Sequence, residues 1–363
     1  MPLIVVCAAW GVFWGSWAAL LPAVKDQLGT STAGLGLALF TVPVGAIPAM
    51  ALTGRLARGR ERTALALSTA AFALSILAAA PASTPLTLGL ALLLVGACSG
   101  ALDVALNMAT GRAERESGRR LFQPVHAAFP VAVIVAAPAT GLVRELGLGI
   151  PAVLGAISVL VLAAALSLAR LPMGAEPPPP PPPGKAARRR DGLALGALAA
   201  CVLIIENAVE QWSVLLLEEH RGAGTVLAGT APAAYMLSLT AGRLIVQAAP
   251  RITAATLHLV AALGGGGGIA LAGLAPTSWL SLAGFSLTGL ALGPLVPAML
   301  SRAAAADPQG RLVSAVSTVS YTGFVVSPLL VAALSAWLTL PWALAALGLL
   351  AVPLLIPLIG RSR

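Results

Sequence analysis

Long runs of Leu, Ala, Val and Ile follow one another along this chain with only short polar breaks between them. Each run is about the ~20 residues that a helix needs to cross a hydrocarbon core. They fall at 3–24, 32–53, 63–82, 86–110, 122–143, 149–170, 192–217, 226–248, 254–275, 279–301, 312–336 and 341–360. The pattern predicts an all-α membrane protein of twelve transmembrane helices. The first run begins at Leu3 with no basic stretch before it, so it reads as a retained span rather than a cleaved signal peptide.

Between the sixth and seventh runs lie Glu176, Pro177 to Pro183, Gly184 and the basic stretch Lys185 to Arg190. Proline at that density cannot be helical; it predicts a polyproline II spacer of roughly 22 Å at ~3.1 Å per residue. The chain therefore divides into a six-span bundle over 1–170, a proline-rich basic linker over 171–191 and a second six-span bundle over 192–363. The halves share a faint echo. Trp17 leads to Gly54-Arg55-Leu56 at the end of the second run, and Trp212 leads to Gly242-Arg243-Leu244 in the eighth.

Composition sharpens this picture. The 363 residues are 58% hydrophobic and only 10% charged, with mean hydropathy +0.93, whereas soluble domains sit near 45–50% apolar and ~25% charged. The net charge of +9 is spread over short interspan clusters rather than one groove-lining patch, so nucleic acid is not an expected partner. All of the 22 Lys and Arg except Lys25, Arg144 and Arg221 fall in alternate loops, at the span ends beside them and at the C-terminus. By the positive-inside rule, both termini are expected in the cytoplasm, with the protein in the inner membrane. Cys7, Cys98 and Cys201 stand inside apolar runs at unrelated spacings and read as small hydrophobes. Neither a metal site nor a cofactor is expected. No HExxH, paired-aspartate metal motif or GxSxG occurs, and no loop is long enough for a catalytic domain, so the chain is not expected to be an enzyme.

An ionisable side chain within a span costs several kcal/mol unless it faces protein or water, so each is a functional candidate. Three acids qualify: Asp103, Glu206 and Glu210. The remaining acids, Glu61 among them, lie in loops or at span ends and read as solvated surface. Glu206 is roughly 21 Å along its helix from Gly192, at ~1.5 Å per residue, and Glu210 follows one turn later on the same face. Two carboxylates so placed repel when both are ionised, so one is expected to hold an exchangeable proton. Asp103 and Asn107 share a face of the fourth run, and the fifth brings His126 to a similar depth, a set suited to a hydrogen-bonded relay or to a packing contact. Asn107, with Arg55 and Arg243 at the ends of their runs, suits a gate or packing role. His220 and His258 lie near span ends and read as interface residues.

Aromatic side chains are scarce, at 4% of the chain. Phe13, Trp14 and Trp17 lie mid-span in the first run, Trp212 is a counterpart in the seventh beside Asn207, and Tyr321 follows Ser317 in the eleventh. Ring faces with amide and hydroxyl partners suit a small polar ligand such as a sugar or polyol, and equally suit helix packing. Trp279 and Trp337 read as interfacial belt residues. Gly264 to Gly268 and the Gly96/Gly100 pair permit close helix contact.

Several of these segments together resemble the MosC-like branch of the major facilitator superfamily. They are Phe13-Trp14-Gly15-Ser16-Trp17 with Leu21-Pro22, Asp103-x-x-x-Asn107 with Glu114 or Glu116 and then His126, Glu206 to Trp212-Ser213, and Tyr321-x-Gly323-Phe324 with Pro328. The resemblance implies the major facilitator fold and alternating-access movement of a small solute, driven by protons or another gradient and commonly thought sugar-like. It also implies a solute site between the halves. The chain departs from the superfamily after its second span, where Gly54-Arg55-Leu56-Ala57-Arg58-Gly59-Arg60-Glu61-Arg62 carries Arg58 in place of an aspartate. Ala132 and Ala136 stand where glycine is common in span five. The resulting expectation is a monomeric secondary transporter whose partners are a solute, protons and lipid. Glu206, Glu210, Asp103 and His126 would couple protons, and Phe13, Trp14, Trp17, Asn207, Trp212, Ser317 and Tyr321 would contact solute. Efflux of amphipathic compounds, or a non-transporting receptor or scaffold, are the alternatives.

Overall fold

The computed structural model describes residues 2–119, 121–171, 189–249, 251–306 and 311–356. The proline-rich linker lies outside the described residues except at its two ends. Each apolar run is largely helical over its described residues. The first six are α1 (Pro2–Leu28), α2 (Thr32–Leu56), α3 (Glu61–Ala79), α4 (Pro85–Ser117), α5 (Phe122–Glu145) and α6 (Ile150–Ser167). The later runs form α7 (Arg189–Arg221) and α8 (Thr225–Ala248), then α9 (Ala254–Val260) and α10 (Gly266–Leu274) joined by a π-helical turn, Ala261–Gly265. They continue as α11 (Ser278–Leu292), α12 (Leu295–Ala306), α13 (Arg311–Ser320), α14 (Thr322–Trp337) and α15 (Leu340–Ala346), which runs on into a 3₁₀ segment, Leu347–Leu355.

Among the described residues, ten helices are long and apolar enough to cross a membrane. The other two expected spans differ for physical reasons. Thr225–Ala248 is 24 residues long, but Arg243 and its Thr, Gly and Pro residues dilute its hydropathy. Leu340–Leu355 is apolar but shorter.

The chain forms two compact units, 1–180 and 181–363. In the first, α1 packs on α5, α2 on α4 and α3 on α6. In the second, α7 packs on α13 and α14, α8 on α11, and α10 on α15. Span for span, both units use the same pairing: first with fifth, second with fourth, third with sixth. That common plan gives the faint sequence echo a structural counterpart.

Glycine sets the closest pairings. A methyl group at Gly100 would fall 2.7 Å from the Ala46 carbonyl oxygen, and Gly45 and Gly96 meet backbone of the facing helix even more closely. On α8 and α11, Gly289 would meet the Tyr235 carbonyl at 2.5 Å and Gly293 that of Leu239 at 2.7 Å. Without a hydrophobic drive between helices in lipid, such backbone approach supplies the packing attraction.

Candidate functional site

The second unit holds two of the three acids that lie within spans. Glu206 and Glu210, one turn apart on α7, are half-buried rather than sealed in the core. Helix α8 runs back antiparallel after a short connection at Gly222–Gly224 and brings two groups beside them. The buried Tyr235 hydroxyl faces Glu206 without a regular hydrogen bond among the described residues. The guanidinium of Arg243 acts on both carboxylates while its Nε donates to the Gly293 carbonyl at 3.0 Å. Arg243, expected at a gate, thus joins the acids.

Around this set lie polar atoms with no hydrogen-bond partner among the described residues: Asn207 Oδ1, Gln211 Oε1, Trp212 Nε1 and Ser213 Oγ. All four residues are at least nine-tenths buried. Orphaned polar groups cost about 1–3 kcal/mol each and are rare in native cores. Their concentration on two turns of α7 marks this helix as the polar axis of its unit. Tyr235 and Gln211 were not singled out by sequence; antiparallel register across the α7–α8 connection is the signal that points to Tyr235.

In the first unit, Asp103, Asn107 and His126 come together. Asn107 Nδ2 donates to Asp103 Oδ1 at 2.8 Å and to the Asp103 carbonyl at 2.9 Å. Asn107 Oδ1 lies 2.9 Å from His126 Nε2. The imidazole is exposed and stacks on Phe122, with centroids 5.9 Å apart and planes 2° from parallel.

The aromatic residues of α1 form a column. Phe13 stacks on Trp17 at 6.0 Å and meets Trp14 and Phe72 edge-on, each at 5.0 Å. Trp10 Nε1 donates to Ser99 Oγ at 2.9 Å. Phe13 and Trp17 are buried and Trp14 is half-buried. Trp17 and Trp212 occupy matching helices of the two units, and each buries an indole N–H with no partner among the described residues. Tyr321 is exposed and tilted against Phe324 at 5.5 Å. Ser317 is half-buried and Arg55 exposed.

Two expectations for the remaining charged and histidine residues need correction. Glu61 is not solvated surface: it is 2% exposed, its Oε2 accepting from Arg112 Nη1 at 2.7 Å and its Oε1 from the Gly59 amide at 2.9 Å. Arg112 Nε also donates to Glu116 at 2.7 Å. The loop that carries Arg58 in place of an aspartate thus supplies its buried acid three residues later. His258 is not an interface residue either, because it is 3% exposed with Nδ1 at 3.1 Å from the Leu354 carbonyl.

A wide groove of about 890 Å³ runs between α1, α5 and α6. It is lined by Ile4, Val12, Val131 and Ile157 among other apolar side chains, and its few polar atoms include Ser16 and Thr140, hydrogen-bonded to each other at 2.8 Å. No cluster of His, Cys, Asp and Glu able to hold a metal occurs among the described residues.

Comparison with known proteins adds context to these features. Residues 3–309 match the family profile described as the Major Facilitator Superfamily. An uncharacterized MFS-type transporter of Yersinia pestis is 30% identical over 329 residues, covering 88% of this chain and 84% of that protein. Membrane protein MosC of Rhizobium meliloti is 25% identical over 328 residues, covering 88% and 79%. Among solved structures, the nucleoside transporter NupG superposes with a TM-score of 0.75 at 15% identity, over 100% of this chain and 98% of that one. A bacterial homologue of the human lysosomal transporter Spinster, in an inward-facing unoccupied conformation, gives 0.72 at 15% identity, over 98% and 94%.

Proposed function

We propose that this chain, which belongs to the major facilitator superfamily and so is a multi-pass membrane transporter, moves a small polar, sugar-like solute coupled to proton movement through the α7 carboxylates. One observation carries the reading: among the described residues, two acids one turn apart on α7 face a tyrosine hydroxyl and one guanidinium. Two negative groups against one positive group leave one surplus charge. In a low-dielectric setting that surplus is most cheaply cancelled by one bound proton. Arg243 acts on both carboxylates; Glu206, which also faces the Tyr235 hydroxyl, is assigned as its counter-ion and Glu210 as the holder of the exchangeable proton.

The solute side of the reading draws on the orphaned amides and indoles. Asn207, Gln211 and Trp212 offer acceptors and a donor that a hydroxylated solute can satisfy, and Trp17 offers a further donor in the first unit. Phe13, Trp14, Ser317 and Tyr321 complete the proposed contact set. Asp103 and His126 serve the same cycle from the first unit, with Asn107 between them and Arg55 at the end of α2. The charge asymmetry of the loops supports a reading with both termini in the cytoplasm of an inner-membrane protein acting as a monomer.

The groove on α1, α5 and α6 favours a second reading, efflux of amphipathic compounds, because its lining is almost wholly apolar. Purified protein separates the two. Binding of sugars or polyols with no binding of lipophilic cations supports the first reading, and the reverse result supports the second. Under the first, Glu206→Gln and Glu210→Gln each abolish accumulation driven by an imposed proton gradient. A Glu210→Gln variant that still accumulates solute in a proton-dependent manner removes Glu210 from its role.

A further inference from the structure

The Asp103–Asn107–His126 chain carries a conclusion about which atom of His126 is offered outward. Asn107 Nδ2 lies 2.8 Å from a carboxylate oxygen and 2.9 Å from a backbone carbonyl oxygen. Both are acceptors only, so the amide nitrogen and its two protons must be on that side. The amide oxygen is therefore the atom turned toward His126 Nε2 at 2.9 Å. An oxygen cannot donate there, so Nε2 must carry the hydrogen. In the neutral imidazole, Nδ1 is then the acceptor. It lies on an exposed residue and makes no hydrogen bond among the described residues.

An exposed side chain ordinarily keeps its rotamer freedom, and fixing it has an entropic cost. His126 is fixed twice, in its plane by Asn107 and across its face by Phe122. Asp103 bonds to the Asn107 amide, and that amide bonds to the ring. Because a carboxamide does not exchange its proton at neutral pH as a carboxylate does, the arrangement orients the imidazole rather than passing a proton along to it. This is the preorganisation of a binding group by a supporting shell.

We infer that Asp103 and Asn107 are positioning residues that lock His126 with its hydrogen on Nε2, so that Nδ1 is held out as a fixed acceptor for a hydroxyl of a neutral polyhydroxylated solute. The solute half rests on the transport reading above; the lock does not.

The test is nitrogen-15 NMR of the full-length protein in nanodiscs with labelled imidazoles, at a pH where histidine is neutral. The chain has 3 histidines, and His126→Gln identifies the signal of interest. Expected is a slowly exchanging proton on Nε2 of His126, retained in Asp103→Asn, whose amide oxygen still accepts from Asn107, and lost to solvent exchange in Asn107→Leu. Sorbitol is expected to shift Nδ1 and leave the Nε2 proton in place. A proton found on Nδ1, or no protected N–H in the wild-type protein, overturns the lock; because that reading needs no variant, it holds even if Asn107→Leu does not fold. An Nδ1 resonance unmoved by saturating sorbitol overturns the solute assignment. Failure of the transport reading appears separately, as absence of proton-driven flux, and leaves the N–H signal where it is.

Discussion

Arg243 illustrates how a residue changes meaning between chain and structure. In the sequence it ends an apolar run beside Gly242 and resembles a loop cation. In the fold it reaches along α8 to the α7 acids while Gly293 anchors its Nε. Its removal leaves two carboxylates with no compensating charge, so Arg243→Gln is expected to need a second bound proton and to steepen the pH dependence of uptake; pH profiles of uptake rates check this. Glu61 taught the opposite lesson. Its position at a span end gave no sign of burial, because the sequence does not reveal that Arg112, 51 residues on, would close over it. Breaking a buried ion pair by removing one partner strands the other charge. Glu61→Gln is therefore expected to lower the melting temperature in detergent by several degrees, and pairing it with Arg112→Leu is expected to recover part of that loss. Glu206, Glu210 and the Asp103–Asn107–His126 set were legible early because charge is rare in an apolar helix and spacing of four fixes a shared face. Tyr235 and Gln211 were not, since a lone tyrosine or glutamine in such a run looks like packing.

At the scale of elements, the apolar runs gave the helices directly, and errors fell at their ends and interruptions. In span nine, Gly264 to Gly268 let neighbouring helices approach the π turn and α10 closely. A methyl group at Gly264 would meet Ala291 at 2.8 Å, at Gly266 Ala351 at 2.9 Å and at Gly268 the Thr288 hydroxyl at 2.6 Å, whereas Gly267 faces open space. Glycine costs a helix roughly 1 kcal/mol relative to alanine, while overpacking costs about 1–3 kcal/mol. Gly267→Ala is accordingly expected to leave stability unchanged or raise it, and Gly268→Ala to lower it, as read by thermal unfolding in one detergent. Small-residue spacing on α4 was visible in the sequence at Gly96 and Gly100. Its equivalent on α11 at Gly289 and Gly293 became recognisable only when Tyr235 and Leu239 were found lying over it.

For the whole molecule, both units adopt one helix-pairing plan despite sequences that share little beyond a Trp and a Gly-Arg-Leu. What is preserved is where small residues let backbones touch, a property that residue identity records poorly. The loop charges add a prediction about sidedness. Arg144 and Arg221, two of the three cations on the expected outer face, are tied to backbone carbonyls, Arg144 to Ala19 within α1 and Arg221 to Gly273 near the end of α10. A single cysteine placed at Gly222 in a cysteine-free background is expected to react with an impermeant thiol reagent from outside intact cells, and one at Arg58 only after the membrane is opened.

The central claim is that the α7 pair carries one proton per transport event, and the direct measurement is proton flux in liposomes containing the purified protein and a trapped pH-sensitive dye. Adding a transported solute to one side is expected to change the internal pH for the wild-type protein, with the change lost in Glu210→Gln although solute still exchanges across the membrane. Solute uptake with no accompanying pH change in the wild-type protein would contradict the account.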